Sequence, residues 1–463
     1  MFLFLINLAF SYINISTCTK INSTFLGNET EVRLTANISN HDGTCMDVTT
    51  GNFKFDCQGY EIDGDGDMSG YGIFLTGSDY VNITNCNVRD FRMNLVIYSS
   101  SDYNKITNTV LKYGENNIIV QSASNNYFNN VSSIKPILGS KLGLLYYGNS
   151  DNNVLNNSYI NNSVFSVFFN DGSDNNIINN SIIENSISTA FSSGANTGNK
   201  IYNTNVTVGV SGISHTSTTS FQVYDNVRFN NLSSYAFHSN SNVGNIILKN
   251  SYINNSNKGI YFVGIGSNTV ENVSITGSVY GIEITGSTSH NFQNISVFNS
   301  DYGILLSGGF HNFQNITVNN SLYYGIQIGS SNNVFESFAV NNSGINGIYI
   351  SGGDSNNFTK GKVENSVNVD INPESCLNNF NNVTITGGSL FNMFIGSIFL
   401  SNQNVTDLTV CKGNGSILNN LTIFGSFNIV DTNDSLVSNI RYINNTLIKI
   451  INSDNNTFNN IIS

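Results

Sequence analysis

The sequence predicts an all-β chain wound as a parallel β-helix, a solenoid of roughly 17–18 coils of about 22 residues with an N-terminal cap. A fixed period is the first reason. The phrase Gly-Ile recurs at Gly259-Ile260, Gly281-Ile282, Gly303-Ile304, Gly325-Ile326 and Gly347-Ile348, each 22 residues after the last. Alternation within each unit is the second. Ile282 with Ile284, Ile304 with Leu306, Ile326 with Ile328 and Ile348 with Ile350 give the period of two that buries one face of a strand. The third is proline, 2 in 463 residues. Proline cannot donate to a ladder, so its scarcity fits strands paired on both edges.

From the N-terminus, MFLFLINLAF resembles the apolar core of a signal peptide, and residues 1–17 are assigned to that segment. Residues 18–60 fall outside the main period and are read as the cap and first coil, with a short helix or hairpin between Ile21 and Ile38. A solenoid end exposes apolar cross-section and needs such a unit. Residues 61–463 form the β-helix. Each coil carries a second strand, as in Ile295 with Val297, Ile316 with Val318 and Phe338 with Val340. Between the two sits a turn such as Ser289-His290-Asn291-Phe292 or Ser331-Asn332-Asn333-Val334. Asn tolerates the left-handed backbone of a sharp corner, and stacked Asn side chains can bond one another as a ladder. The period blurs between about 130 and 250, where Pro136, Gly143-Leu144 and the run His215 to Ser220 suggest loops. It resumes at Leu377-Asn378-Asn379-Phe380 and stops in mid-pattern at Ser463, an open strand edge that invites self-association. A propeller of the WD type expects Trp, a leucine-rich repeat expects a Leu frame, and a hexapeptide helix expects a period of six. None of these is present.

Charged residues make up 10% of the chain, against about 25% in an average soluble protein. Uncharged Asn, Ser and Thr supply the polarity instead. A net charge of −12 argues against nucleic acid. No apolar run reaches the ~20 residues of a membrane span. Six cysteines, Cys18, Cys45, Cys57, Cys86, Cys376 and Cys411, lack CxxC spacing, which speaks for disulfides in an exported chain over zinc. Buried free thiols are the alternative, and the sequence leaves the pairing open. Matches to N-x-[ST], among them Asn82, Asn272, Asn294 and Asn315, point to an exported glycoprotein.

The run Asn52-Phe53-Lys54-Phe55-Asp56-Cys57-Gln58-Gly59-Tyr60-Glu61-Ile62-Asp63-Gly64-Asp65-Gly66, then Gly70-Tyr71-Gly72-Ile73 and Val81-Asn82-Ile83-Thr84-Asn85-Cys86, resembles the opening coils of a known family. That family is the right-handed parallel β-helix repeat proteins, pectate-lyase-like and NosD-like, of the archaeal surface type. The resemblance implies a right-handed coil, a secreted or cell-surface location, and a carbohydrate-related role. The Gly-His-Gly and Arg-Ile-Lys motifs of polygalacturonase-like members are absent.

Candidate sites are few. Asp63, Asp65 and Asp67 alternate with Gly and are a candidate calcium cradle, weighed against a solvated turn. With Arg89, Asp90 and Arg92 one coil on, they are the catalytic candidates of a lyase, hydrolase or epimerase, weighed against surface ion pairs. Tyr280, Tyr302 and Tyr324 each precede a Gly-Ile pair and should stack as a row. An aromatic row suits the apolar faces of sugar rings and is the ligand-binding candidate, weighed against a structural aromatic ladder. A second row, Tyr261, Glu283, Leu305, Gln327 and Tyr349, has no single chemical theme. His290 and His311 occupy equivalent turns, with turn packing the expected role. The reading preferred is a secreted or cell-surface, non-catalytic scaffold, adhesin-like or carbohydrate-binding, with polysaccharide or surface glycan as partner and no cofactor beyond the calcium candidate. A polysaccharide-active enzyme is the alternative, and a structural subunit of an envelope layer or fibre the second alternative.

Overall fold

The computed structural model describes residues 11–67, 69–136, 141–215, 220–240, 244–264, 266–286, 289–373, 378–386, 398–405, 408–411, 415–442 and 448–462. The apolar segment 1–10, Cys376 and residues 216–219 of the run at His215 lie outside them. The chain groups into two compact units, Met1–Ser214 and His215–Ser463. Each is a right-handed parallel β-solenoid.

In the second unit the Gly-Ile strands Tyr280–Ile284, Tyr302–Leu306, Tyr324–Ile328 and Asn346–Ile350 pair in parallel, Ile282 beside Ile304 and Ile326 beside Ile348. The glycine of the phrase is set by close approach. A Cβ on Gly303 would lie 2.4 Å from the carbonyl oxygen of Gly325 and 2.4 Å from Cγ1 of Val318. The strands Asn291–Phe298 and Asn312–Asn319 run to eight residues, longer than the second strand expected from sequence. A single left-handed residue bends each of them: Asn294 at φ 55° and Asn315 at φ 55°. That residue shifts the inward set from a spacing of two to three, so Phe292, Ile295 and Val297 are all buried. The coil is therefore three-sided.

The core repeats with the coil. Phe292, Phe313, Phe335, Phe358 and Phe380 form one stack with centroids 4.6, 4.6, 4.9 and 4.6 Å apart and rings within 7° of parallel. Beside it runs the amide ladder anticipated for the Asn turns. Backbone N–H groups of His311, Asn333 and Asn356 donate to Oδ1 of Asn333, Asn356 and Asn378 at 3.1, 2.9 and 3.1 Å. His290 and His311 fill two rungs of this ladder. Nδ1 of each accepts a backbone N–H, from Asn268 at 3.2 Å and His290 at 3.3 Å, and the rings stack at 5.1 Å.

The first unit follows the same design. Strand Ile13–Ile15 pairs in parallel with Glu31–Leu34, so stacking begins before the region read as a cap. One helical turn, Ser23–Leu26, sits there, its Phe25 N–H donating to Oδ1 of Asn22 at 2.8 Å. Two disulfides, Cys18–Cys45 and Cys57–Cys86, tie adjacent coils. A buried ladder links Asn104, Asn126, Asn153, Asn176 and Asn199, with N–H to Oδ1 distances of 2.9, 2.9, 2.9 and 2.7 Å. Where the sequence period blurs, the coils persist but lengthen. Phe128 pairs with Leu155, 27 residues on, and strand Leu142–Tyr147 occupies the place where Gly143-Leu144 suggested a loop.

Two outcomes follow. Ile304 is 0% exposed between its two coil neighbours, so Ile304→Asp places an unpaired carboxylate in mid-stack. The variant should lose on the order of 4 kcal/mol in denaturant melts. An unchanged melt refutes the register. The second concerns acid. Burial holds His215 and His290 down to about 3 and His238 down to about 4 in the folded chain. The unfolded chain takes up these protons below about 6.5. Their contribution is complete above that value and is lost as pH falls toward 4. His290→Asn restores the residue used on neighbouring rungs and should flatten the decline of melting temperature between pH 7 and pH 4.

Candidate functional site

The first group of candidates lies on the first unit. Strands Glu61–Gly64 and Asn87–Arg89 run side by side with Asp63 opposite Arg89. One guanidinium gathers three carboxylates: Nε of Arg89 lies 3.0 Å from Glu61, Nη2 3.0 Å from Asp63 and Nη1 2.8 Å from Asp90. Asp90 reaches the group because it turns a left-handed corner at φ 60°. Burial pushes the Asp63 carboxyl up, against the downward pull of Arg89. Glu61 was missing from the sequence-based set. It lies two residues before Asp63 on one strand face, and that spacing could have revealed it.

The other candidates stand apart. Arg92 pairs with Glu115 at 3.4 Å. Asp65 accepts the N–H of Asp67 at 3.0 Å, closing an exposed turn. Asp63 thus faces Arg89 while Asp65 and Asp67 form the turn beyond it. Among the described residues no group of three His, Cys, Asp or Glu side chains is placed to hold a metal ion.

The second group lies on the second unit. Tyr280 and Tyr302 stack at 5.0 Å with rings 13° apart. Tyr302 then meets Tyr323 at 5.1 Å and Tyr324 at 6.0 Å, but the rings open to 39° and 42°. Tyr324 continues to Tyr349 at 5.2 Å. The three predicted tyrosines therefore form one strip, lengthened by Tyr323 and Tyr349. Burial and the neighbouring phenols push Tyr302 up. The strip runs on through Lys258, whose Nζ lies 3.5 Å over the Tyr261 ring and 3.0 Å from Glu283. Tyr261 stacks in turn on His238 at 5.2 Å.

One feature of the first unit escaped the sequence reading. Phe74, Val96, Ile119, Leu145 and Phe168 are paired in register on the outer side of the sheet, where polar residues are expected. A cleft of about 270 Å³ opens among Tyr71, Phe74, Met93, Val96, Tyr98 and Ile119. The coils here differ in length, so the row does not line up at one sequence period.

Residues 57–245 match the family described as periplasmic copper-binding protein (NosD). The chain is similar to that family over this stretch. The described residues there offer copper no cluster of ligands: Cys57 and Cys86 are joined as a disulfide, His215 Nε2 lies 3.0 Å from the Tyr224 hydroxyl, His238 packs between the rings of Tyr235 and Tyr261, and no three His, Cys, Asp or Glu side chains converge. No curated protein matches the chain. Among solved structures, a GH87 alpha-1,3-glucanase catalytic domain in complex with nigerose is 14% identical, with 63% of this chain and 65% of that one covered and a TM-score of 0.45. The catalytic unit of a thermostable GH87 alpha-1,3-glucanase from Streptomyces thermodiastaticus is 10% identical, with 66% of each chain covered and a TM-score of 0.42. The Streptococcus pneumoniae surface protein and adhesin PfbA is 12% identical, with 76% and 92% covered and a TM-score of 0.31. The chain thus spans about two thirds of the glucanase domains. Likeness at this level carries no argument about activity. No helix among the described residues is long and apolar enough to cross a membrane.

The Arg89 group yields a prediction. Arg89→Gln leaves Asp63, its side chain 10% exposed, without a counter-ion. Stability should fall by about 1–2 kcal/mol, part of the usual cost being screened because Arg89 is partly exposed. Adding Asp63→Asn should recover most of it, as read from urea midpoints of the two variants.

Proposed function

We propose that the protein is an exported, surface-displayed scaffold of the archaeal type its opening coils resemble, and that it binds carbohydrate without altering it. The aromatic strip carries this reading. Tyr280, Tyr302, Tyr323, Tyr324 and Tyr349 line one rigid face, and Tyr323 is 38% exposed where the stack opens. Pyranose rings bury their apolar C–H faces on such rings while phenol hydroxyls meet their own hydroxyls. A leader within residues 1–17 would direct export, the coils up to residue 60, which begin with strand Ile13–Ile15, would close the end of the stack, and 61–463 would supply the face.

The enzyme alternative draws on Glu61, Asp63, Arg89 and Asp90. Glycoside hydrolysis needs two carboxylates flanking the scissile bond. Here Arg89 engages all three carboxylates at once, so the group is better matched to holding two coils together.

A glycan array decides between the two. The expected result is binding to a set of polysaccharides with no new reducing ends after incubation. Tyr302→Ala should weaken binding by about tenfold, the share of one stacked ring, with the melting temperature little changed. A blank array, or release of shorter chains, overturns the reading.

A further inference from the structure

Three consecutive coils of the second unit carry one extra residue between the corner serine and the inward strand. Ser300-Asp301-Tyr302-Gly303 becomes Ser321-Leu322-Tyr323-Tyr324-Gly325, then Ser343-Gly344-Ile345-Asn346-Gly347, then Ser366-Val367-Asn368-Val369-Asp370. The insertion raises a ledge that still pairs from coil to coil: Leu322, Gly344 and Val367 donate their N–H groups to Ser300, Ser321 and Ser343 at 2.9, 2.8 and 2.9 Å. Leu322 and Val367 are 57% and 72% exposed, with a glycine between them. Gly344 is required there, since a Cβ would lie 2.0 Å from the carbonyl oxygen of Leu322. The result is an apolar notch in a groove of about 510 Å³.

The opposite wall is a row of corner asparagines, Asn299, Asn320, Asn342 and Asn365, all left-handed. Asn320 Nδ2 donates to Asn299 Oδ1 at 3.2 Å, and Asn342 Nδ2 donates to both Asn319 Oδ1 at 3.1 Å and Asn320 Oδ1 at 3.2 Å. An amide has two N–H donors and two acceptor lone pairs, so Asn320 keeps one N–H for a ligand, while Asn342, with both N–H groups engaged, offers its Oδ1. The rungs repeat about every 4.8 Å, close to the length of one pyranose residue in an extended chain. The groove lining includes Asp301 and no Lys or Arg, on a chain of net charge −12. A polyuronate would meet only repulsion there.

We propose that this groove is the glycan-binding subsite and that it takes a neutral, unbranched polysaccharide lying along the coil axis. Its C–H faces rest on Leu322 and Val367 and its hydroxyls on the amide row. The inference rests on the carbohydrate reading above and fixes its place and ligand class.

The test is fluorescence anisotropy of the whole protein with labelled neutral glucan and chitin hexasaccharides and with labelled oligogalacturonate. At least one neutral probe should bind and oligogalacturonate should not. The double variant Leu322→Ala/Val367→Ala should weaken neutral binding tenfold or more. Asn320→Asp keeps a residue tolerant of the left-handed corner, removes the Nδ2 donor and should weaken it about fivefold. Should the double variant fail to fold, Asn320→Asp decides alone. Neutral binding that survives these variants but is lost in Tyr302→Ala overturns the groove and leaves the carbohydrate reading standing. Preference for oligogalacturonate also overturns it. No binding of any probe, with a blank array, removes both.

Discussion

The buried amide ladder is the constraint on which the other features rest. At one corner of successive coils in both units an inward amide accepts the backbone N–H of the coil before it, as from Asn104 through Asn199 and again from Asn333 to Asn378. A sharp corner leaves backbone donors that the strand ladders cannot reach, and a buried N–H without a partner is costly. A side-chain acceptor repeating at the same place in each coil answers that need. It also pins register, because an amide one residue out of place would leave that donor orphaned. With the corner pinned, the phenylalanine stack and the Gly-Ile strands fall into rows. His290 and His311 show that the requirement is an acceptor of the right reach, since imidazole Nδ1 serves as well as Oδ1.

The same rule explains the composition. A left-handed corner selects Asn, the next residue points inward and is apolar, and the one after is often Ser or Thr. Asn272-Val273-Ser274, Asn294-Ile295-Ser296 and Asn315-Ile316-Thr317 are such corners, and each asparagine sits at positive φ. Every one of them reads as a glycosylation sequon. The density of these matches is thus a consequence of the coil. Their side chains also form an outer ladder, Asn294 donating to Asn272 at 2.9 Å and Asn315 to Asn294 at 3.0 Å. Neutral amides can stack this closely where like charges would repel, which accounts for the low content of charged residues.

The fold was legible because strand alternation and coil period are both carried by side chains whose burial repeats. Gly303 and Ile304 show it: one is set by contact with Gly325 and Val318, the other by burial. The third side of the coil was not legible, since a single left-handed residue such as Asn294 bends a strand without any break in the apolar run. Coils of 26 or 27 residues around Leu144 and Leu155 escaped because the extra length enters at corners and slides the pattern. At the candidate sites, the tyrosine row followed directly from the period. Glu61 was within reach through its spacing to Asp63 on one strand, whereas the outer row from Phe74 to Phe168 was not, because its members become neighbours only when coils of unequal length are stacked.

In a solenoid, what repeats is structure, so specificity has to come from departures from the repeat. A surface built only of equivalent rows offers every coil the same contact, and a ligand could slide along it. The extra residue in the coils from Ser321, Ser343 and Ser366 breaks that equivalence on this stretch of the face. There the ledge appears, the tyrosine stack opens by about 40° at Tyr323 and Tyr324, and the corner amides gain an apolar opposite wall. None of these needs a residue type foreign to the rest of the chain. They arise because the inner ladder holds coil rise and register constant, so an added residue has nowhere to go but outward.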